Sequence, residues 1–198
     1  MEHPAKASII SCGILKREIQ TLVERGELDA DVTFLSERLH SSYERLDLAL
    51  NAAIRKLRDA GIHEIVLVYG DLCLGFHGEM ESLLKKHDVV KVEALNCIDC
   101  LLGGRGKLLE IDPDHEYFFL NPAFIAFSEG IQCASKEQTR DMFAKLKGMI
   151  LLDALGDLDE YKTEIEAMID RTGLQVLERR NVGLEGLKRV LCEALQRR

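Results

Sequence analysis

The chain has 198 residues, 46% of them apolar and 30% charged, with 15 Gly and only 3 Pro. That composition excludes disordered and low-complexity classes and leaves enough apolar material for a core of its own. Lys and Arg number 26 against 34 Asp and Glu, a formal charge of −8 that repels phosphate backbones, so no nucleic-acid partner is expected.

No apolar run approaches the ~20 residues of a membrane-spanning helix. The opening MEHPAKASIISCGI lacks a basic leader and a cleavage site, so a cytoplasmic protein with no membrane partner is expected. In that compartment thiols stay reduced, and six cysteines read as ligands, catalysts or core fillers rather than as a disulfide framework.

Apolar runs and amphipathic stretches alternate along the chain. Residues 7–12 (ASIISC) are continuous, β-branched and short, which predicts a buried strand. Helical spacing of Leu15, Ile19, Leu22 and Val23 predicts a helix over 15–25, stopped by Gly26. A strand is expected at 31–36. A helix follows over 43–60, where Leu46, Leu50, Ala53, Ile54 and Leu57 recur at three and four, closed by Gly61. The run EIVLVY at 64–69 is the clearest strand and ends at Gly70.

A helix over 80–86 and a strand over 89–94 come next. Residues 98–109 predict a helix or turn broken by Gly103, Gly104 and Gly106, and 117–121 (YFFLN) a strand stopped by Pro122. The remainder reads as helix 136–146, strand 149–153, helix 159–170, strand 174–178 and helix 184–195. Alternation of this kind predicts a single α/β domain over 1–198, Rossmann-like, its mostly parallel sheet flanked by helices on both faces.

Ligands of open α/β sheets bind beyond the carboxyl ends of the strands, so side chains just after strands are the candidates. Cys12 follows the first strand, and Tyr69, Gly70 and Cys73 follow the third with His77 four residues on. Cys97 and Cys100 follow the fourth, Asn121 the fifth, and Asp153 closes the MILLD strand. Three cysteines leaving three strands at one end can converge on a metal. Cys12 reads equally well as a small buried hydrophobe. Cys97 and Cys100 form a CxxC that fits either two metal ligands or a thiol redox pair.

Cys133 is a further candidate ligand, and Cys192, among apolar helix residues, reads as core. His3, His63, His87 and His115 lie in polar turns and read as solvated, whereas His40 and His77 fall where they could reach the rim. The stretch Gly103-Gly104-Arg105-Gly106-Lys107 could hold an anion but reads better as a flexible turn. Asp153 is either a ligand-binding group or a cap. The chain has no GxSxG elbow, no HExxH, no P-loop, and no GxGxxG after the first strand.

Taken in order, several of these segments resemble an uncharacterised domain family of methanogenic archaea and anaerobic bacteria. They are IISCGIL at 9–15 with Glu18, Leu39-His40, IVLVYGDLC at 65–73, NCIDCLLGG at 96–104, YFFLNP at 117–122 and LLD at 151–153. The resemblance runs from about Ala7 to Leu191. It implies that Cys12, Cys73 and Cys97 occupy the family's cysteine places and that Cys100 is an addition. It also implies a link to one-carbon and corrinoid-dependent metabolism. Two departures bear on the ligand geometry: the glycine expected directly after Cys73 stands at Gly75, and a Thr-Pro-Gly-Trp turn is replaced by Asn121-Pro122-Ala123-Phe124.

The reading that results is a cytoplasmic metalloprotein whose centre is Cys12, Cys73 and Cys97, completed by Cys100, His77 or His40 or left open. His40, Tyr69, Gly70, Asn121 and Asp153 would serve the substrate. Zn2+ is expected ahead of a [4Fe–4S] cluster, because the compact cysteine runs of ferredoxins are missing. The partner is a small-molecule substrate or a corrinoid protein, and methyl transfer or hydrolysis are the activities such a centre would serve. The alternatives are a non-catalytic corrinoid or metal delivery module and a metal-free redox protein using Cys97 and Cys100.

Overall fold

The computed structural model describes residues 6–129 and 135–197. Among the described residues there are seven strands, all paired in parallel, and nine α-helices, an α/β architecture of Rossmann-like type. The strands divide between two sheets, and the chain divides into two compact units. One comprises the residues up to Gly106 together with those from Glu185 onward, and the other is Lys107–Leu184. The first crossing falls at the end of the Gly-rich 103–106 stretch, and the second follows Gly183.

The first unit carries a four-stranded sheet in the order β2-β1-β3-β4. Its strands are β1 (Ala7–Cys12), β2 (Ala30–Leu35), β3 (Ile65–Val68) and β4 (Val90–Lys91), and its helices are α1 (Lys16–Glu24), α2 (Tyr43–Asp59), α3 (Glu79–His87), α4 (Cys97–Leu102) and α9 (Glu185–Gln196). β1 and β3 are buried at every residue, as strands covered on both faces must be. The strand expected over 89–94 is cut to two residues for a visible reason. Beyond Val92 the carbonyls of Ala94 and Leu95 accept the amides of Asp71 and Leu72, in the loop after β3, at 3.1 Å each. The peptide groups that would have extended the ladder hold that loop instead.

In this strand order the chain passes from β1 outward to β2, then back across to β3. The switch point lies between β1 and β3, where a parallel sheet opens a crevice at its carboxyl edge. The pairing of these two strands runs from Ser8 with Ile65 to Ser11 with Val68, so Cys12 and Tyr69 leave the sheet as neighbours.

The second unit carries β5 (Tyr117–Leu120), β6 (Gly148–Asp153) and β7 (Val176–Asn181) in the sequential order β5-β6-β7, which has no switch point. Its helices are α5 (Lys107–Ile111), α6 (Pro122–Glu129), α7 (Lys136–Phe143) and α8 (Lys162–Thr172). Leu120, Ile125, Met149, Leu151, Leu158, Ile165, Met168 and Leu174 form a core of its own. Among the described residues no helix is long and apolar enough to cross a membrane.

Candidate metal centre

Cys12 ends β1 and caps the turn that follows, its Sγ accepting from the amide of Ile14 at 3.5 Å. Gly13 packs closely next. A Cβ there would stand 2.6 Å from Oε2 of Glu37 and 3.2 Å from the carbonyl of Leu35, so a larger residue would push the Glu37 side chain aside and crowd the segment after β2. That segment, a 3-10 turn over Glu37–Ser41, brings Nδ1 of His40 to 3.7 Å from Cys12 Sγ. Burial lowers the His40 pKa against the opposing pull of Glu37, so the ring is neutral at pH 7.

The second thiol is set by the end of β3. At Gly70 a Cβ would fall 2.1 Å from the carbonyl oxygen of Leu95, so any other residue would drive the loop off the 94–96 segment. The amide of Gly70 donates to Cys73 Sγ at 3.2 Å, folding the turn Asp71–Leu74 so that the thiol points back toward the strand end. The neighbouring segment starts α4. Asn96 accepts from the amide of Asp99 at 3.0 Å, and the buried Asp99 carboxylate accepts from the amide of Leu95 at 3.0 Å. Cys97 and Cys100, three apart on the first turns, therefore share a helix face.

The electrostatics show that these thiols are neighbours. Burial pushes Cys12 up to about 12, and the Cys73 thiol adds to the rise. Cys73 itself is pushed up to about 11 by burial, moderated by the Gly70 amide and the Lys91 ammonium. Burial raises Cys97 well above its ordinary value, with Cys73, Cys12 and Cys100 contributing in that order. Cys100 is raised by burial and by Cys73, and lowered by Lys91. Cys12 at the end of β1 and Cys97 and Cys100 at the start of α4 thus each feel Cys73 in the loop after β3.

All four are neutral at pH 7 without a cation, and a metal ion is the ordinary agent that displaces protons from such a set. As they stand, no three His, Cys, Asp or Glu side chains among the described residues are gathered tightly enough to hold an ion.

Tyr69 completes the wall. It is 2% exposed, its ring centroid lies 6.3 Å from that of His40, and its hydroxyl has no hydrogen-bond partner among the described residues. Behind Cys73 and Cys100 lies Lys91, itself buried, with Nζ 2.7 Å from Asp71 and 2.6 Å from the carbonyl of Val92. Residues 34–191 match the model of a family described as a protein of unknown function, DUF1638. The chain belongs to the DUF1638 family. No curated protein and no solved structure matches it. The DUF1638 match takes in His40, Tyr69, Gly70, Cys73, Cys97 and Cys100 and opens after Cys12.

Other residues singled out in the sequence have other surroundings. His77 is exposed, its amide bonded to Glu79 at 2.8 Å, and it is not among the groups acting on the thiols. Asn121 and Asp153, which also lie within the DUF1638 match, belong to the second unit. Asn121 accepts from the amide of Phe124 at 3.0 Å and caps α6. Asp153 accepts from the amides of Gly156 and Asp157 at 2.6 and 3.2 Å, so it holds a turn.

The basic groups of the Gly103–Lys107 stretch are paired, Arg105 with Asp71 and Glu93 and Lys107 with Glu110, which removes the anion cradle considered for it. His87, expected in solvent, bonds Oδ1 of the buried Asn51 at 2.7 Å. Cys192 is half-buried on α9. Cys133 and His3 lie outside the described residues. Lys91 was missed from sequence, although a lone lysine inside the apolar VVKV run was a signal that a buried counter-charge was needed.

Proposed function

We propose that this DUF1638 chain is a cytoplasmic thiolate metalloprotein holding one Zn2+ through Cys12, Cys73 and Cys97, with Cys100 or His40 beside the fourth position. What supports the reading is that Cys12, Cys97 and Cys100 each feel the charge of Cys73, in the first unit near the β1–β3 switch point, where an α/β sheet takes its ligand. The donor set suits a soft or borderline cation. Lys91 supports the reading too: its buried ammonium offsets part of the negative charge that thiolates would bring. His40 and Cys100 are favoured over His77 as the completing group because they act on, or touch, the other thiols.

Zinc bound by three thiolates with an open fourth position lowers the pKa of a bound thiol or water, chemistry that serves methyl transfer or hydrolysis. The chain's own part is to hold the thiols at the end of β1, in the turn after β3 and on the first turns of α4. The one-carbon connection, with a small methyl donor or a corrinoid protein as partner, is supported by the family resemblance. A metal-free redox role for Cys97 and Cys100 is disfavoured, since an attacking CxxC cysteine has a lowered pKa and both of these are raised by burial.

Elemental analysis of anaerobically prepared protein tests the proposal. One zinc per chain in a colourless protein is expected, lost in Cys73→Ser and retained in His77→Ala. A brown protein containing iron and sulfide would replace zinc with the [4Fe–4S] alternative. Protein without stoichiometric metal, with its thiols all free, would overturn the reading. Turnover of a methyl donor by the purified chain alone would separate an enzyme from a delivery module.

A further inference from the structure

Apolar side chains scattered singly over a surface are ordinary, whereas several in one patch mark a binding face. Seven large apolar side chains are exposed among the described residues, and four of them, Tyr43, Leu48, Leu72 and Phe76, gather on the first unit. Tyr43 and Leu48 line a groove of about 690 Å3 between α2 and α3, with the buried Leu74 and Leu83 beneath them. Tyr43 meets Phe76 edge-on with ring centroids 6.4 Å apart, and Phe76 shares a second hollow with Leu72. Phe76 is 69% exposed, yet it is held there by built structure. Its loop runs between Gly75 and Gly78, whose φ of 134° and 87° suit glycine, and Glu79 closes it by accepting the His77 amide at 2.8 Å.

The rim of the groove is acidic. Glu44, Asp47 and Glu79 line it, and none of the three is in an ion pair among the described residues. Hydrogen bonds lower the pKa of Glu44, from the Ser42 hydroxyl, and of Glu79, from its own amide and that of His77, so both are charged at pH 7. Lys86, the one cation of the lining, is turned to Oδ1 of the buried Asn51 at 2.7 Å.

We propose that the α2–α3 groove docks a basic amphipathic helix of another protein. Its apolar stripe covers Leu48, Tyr43 and Phe76, and its Lys or Arg side chains meet Glu44, Asp47 and Glu79. The charge names the occupant, since a neutral partner would cover three carboxylates without pairing them. A helix suits the trough between two neighbouring helices, where its side chains seat between theirs. A second copy of a chain with formal charge −8 would bring the wrong sign. Leu72 and Leu74 flank Cys73, so the partner lies against the turn that carries that thiol. The proposal does not depend on the metal reading.

The test titrates the full chain with two fluorescent synthetic helices of about 18 residues. They share a leucine stripe and carry lysine or glutamate at the remaining positions. The lysine helix is expected to bind with micromolar Kd and the glutamate helix not to bind. Phe76→Ala and Leu48→Ala should each weaken the lysine helix about tenfold. Glu44→Gln combined with Asp47→Asn should weaken it about as much and flatten its salt dependence. Met142→Ala, which removes an exposed apolar side chain from the second unit, should bind as wild type does. All these positions are exposed, so the variants should melt with wild type, and two separate apolar variants keep the test decisive if one disturbs the fold.

Equal binding of the lysine helix by wild type, Phe76→Ala and Leu48→Ala would reduce it to charge attraction and overturn the proposal. Equal binding of the two helices would do the same, as would no binding of either. A wild-type dimer in sedimentation that Phe76→Ala dissolves would make a second copy the occupant and overturn it too.

Discussion

Cys73 is the thiol that each of the other three feels, and its position is decided by a neighbour with no side chain. Gly70 sits where a Cβ would overlap the Leu95 carbonyl, so the loop after β3 can lie against the start of α4. The resulting burial has a consequence for alkaline stability. An unfolded cysteine ionises near its ordinary value of 9.0, whereas folded Cys12 and Cys73 hold their protons to about 12 and about 11. Protonated thiols favour the folded chain, so stability is level below pH 9 and falls above it as the unfolded thiols ionise first. Between pH 9 and pH 10 the loss comes to about 1 kcal/mol per thiol. Urea denaturation of the reduced, metal-free protein checks this, and Cys12→Ala should flatten the slope by one thiol's share. At this scale the sequence was partly legible. Residue type and place after a strand pointed to Cys12, Tyr69 and Cys73, but nothing in a linear pattern tells that Asp153 bonds its own turn or that Arg105 is paired with Asp71.

Elements were easier to read where burial is one-sided or complete. The limits of β1 match the sequence expectation because a fully buried run begins and ends with the sheet. α6 was missed, and the reason lies in Pro122. A proline after YFFLN was read as a stop, yet proline at the first helical position loses no hydrogen bond, and Asn121 before it is a good cap. The same motif of an asparagine cap starts α4 in the other unit, so the two make a matched comparison. Asn96→Ala and Asn121→Ala should each cost about 1 kcal/mol of stability. Metal content should fall only with Asn96→Ala, because α4 carries Cys97 and Cys100 whereas α6 carries none of the four thiols. Denaturation curves and metal analysis of the two variants check this.

At the scale of the whole molecule, the first unit is discontinuous in sequence, with α9 returning after the 107–184 segment. That helix packs on α4 and buries Leu187, Val190 and Leu191, while Arg197 reaches Glu93 at 2.5 Å and Arg189 the carbonyl of Gly103 at 2.9 Å. Three such side chains contribute about 1.5–3 kcal/mol each, comparable with the roughly 5–15 kcal/mol that holds a domain folded. A chain ended after residue 184 should therefore lose the fold of the first unit, and with it the proposed metal binding, while keeping the sheet of the second. Backbone NMR and metal analysis would show it. The parallel α/β class was legible because alternation reflects local pattern, but the division into two sheets was not, since it depends on which strands pair over long separations.

The late return of α9 also orders events at the ribosome. The segment 107–184 emerges with every strand of its own sheet before Glu185–Gln196 has been made, so it can close on itself first. α4, with Cys97 and Cys100 on it, must wait for the helix it packs against, which is synthesised more than eighty residues after Cys100.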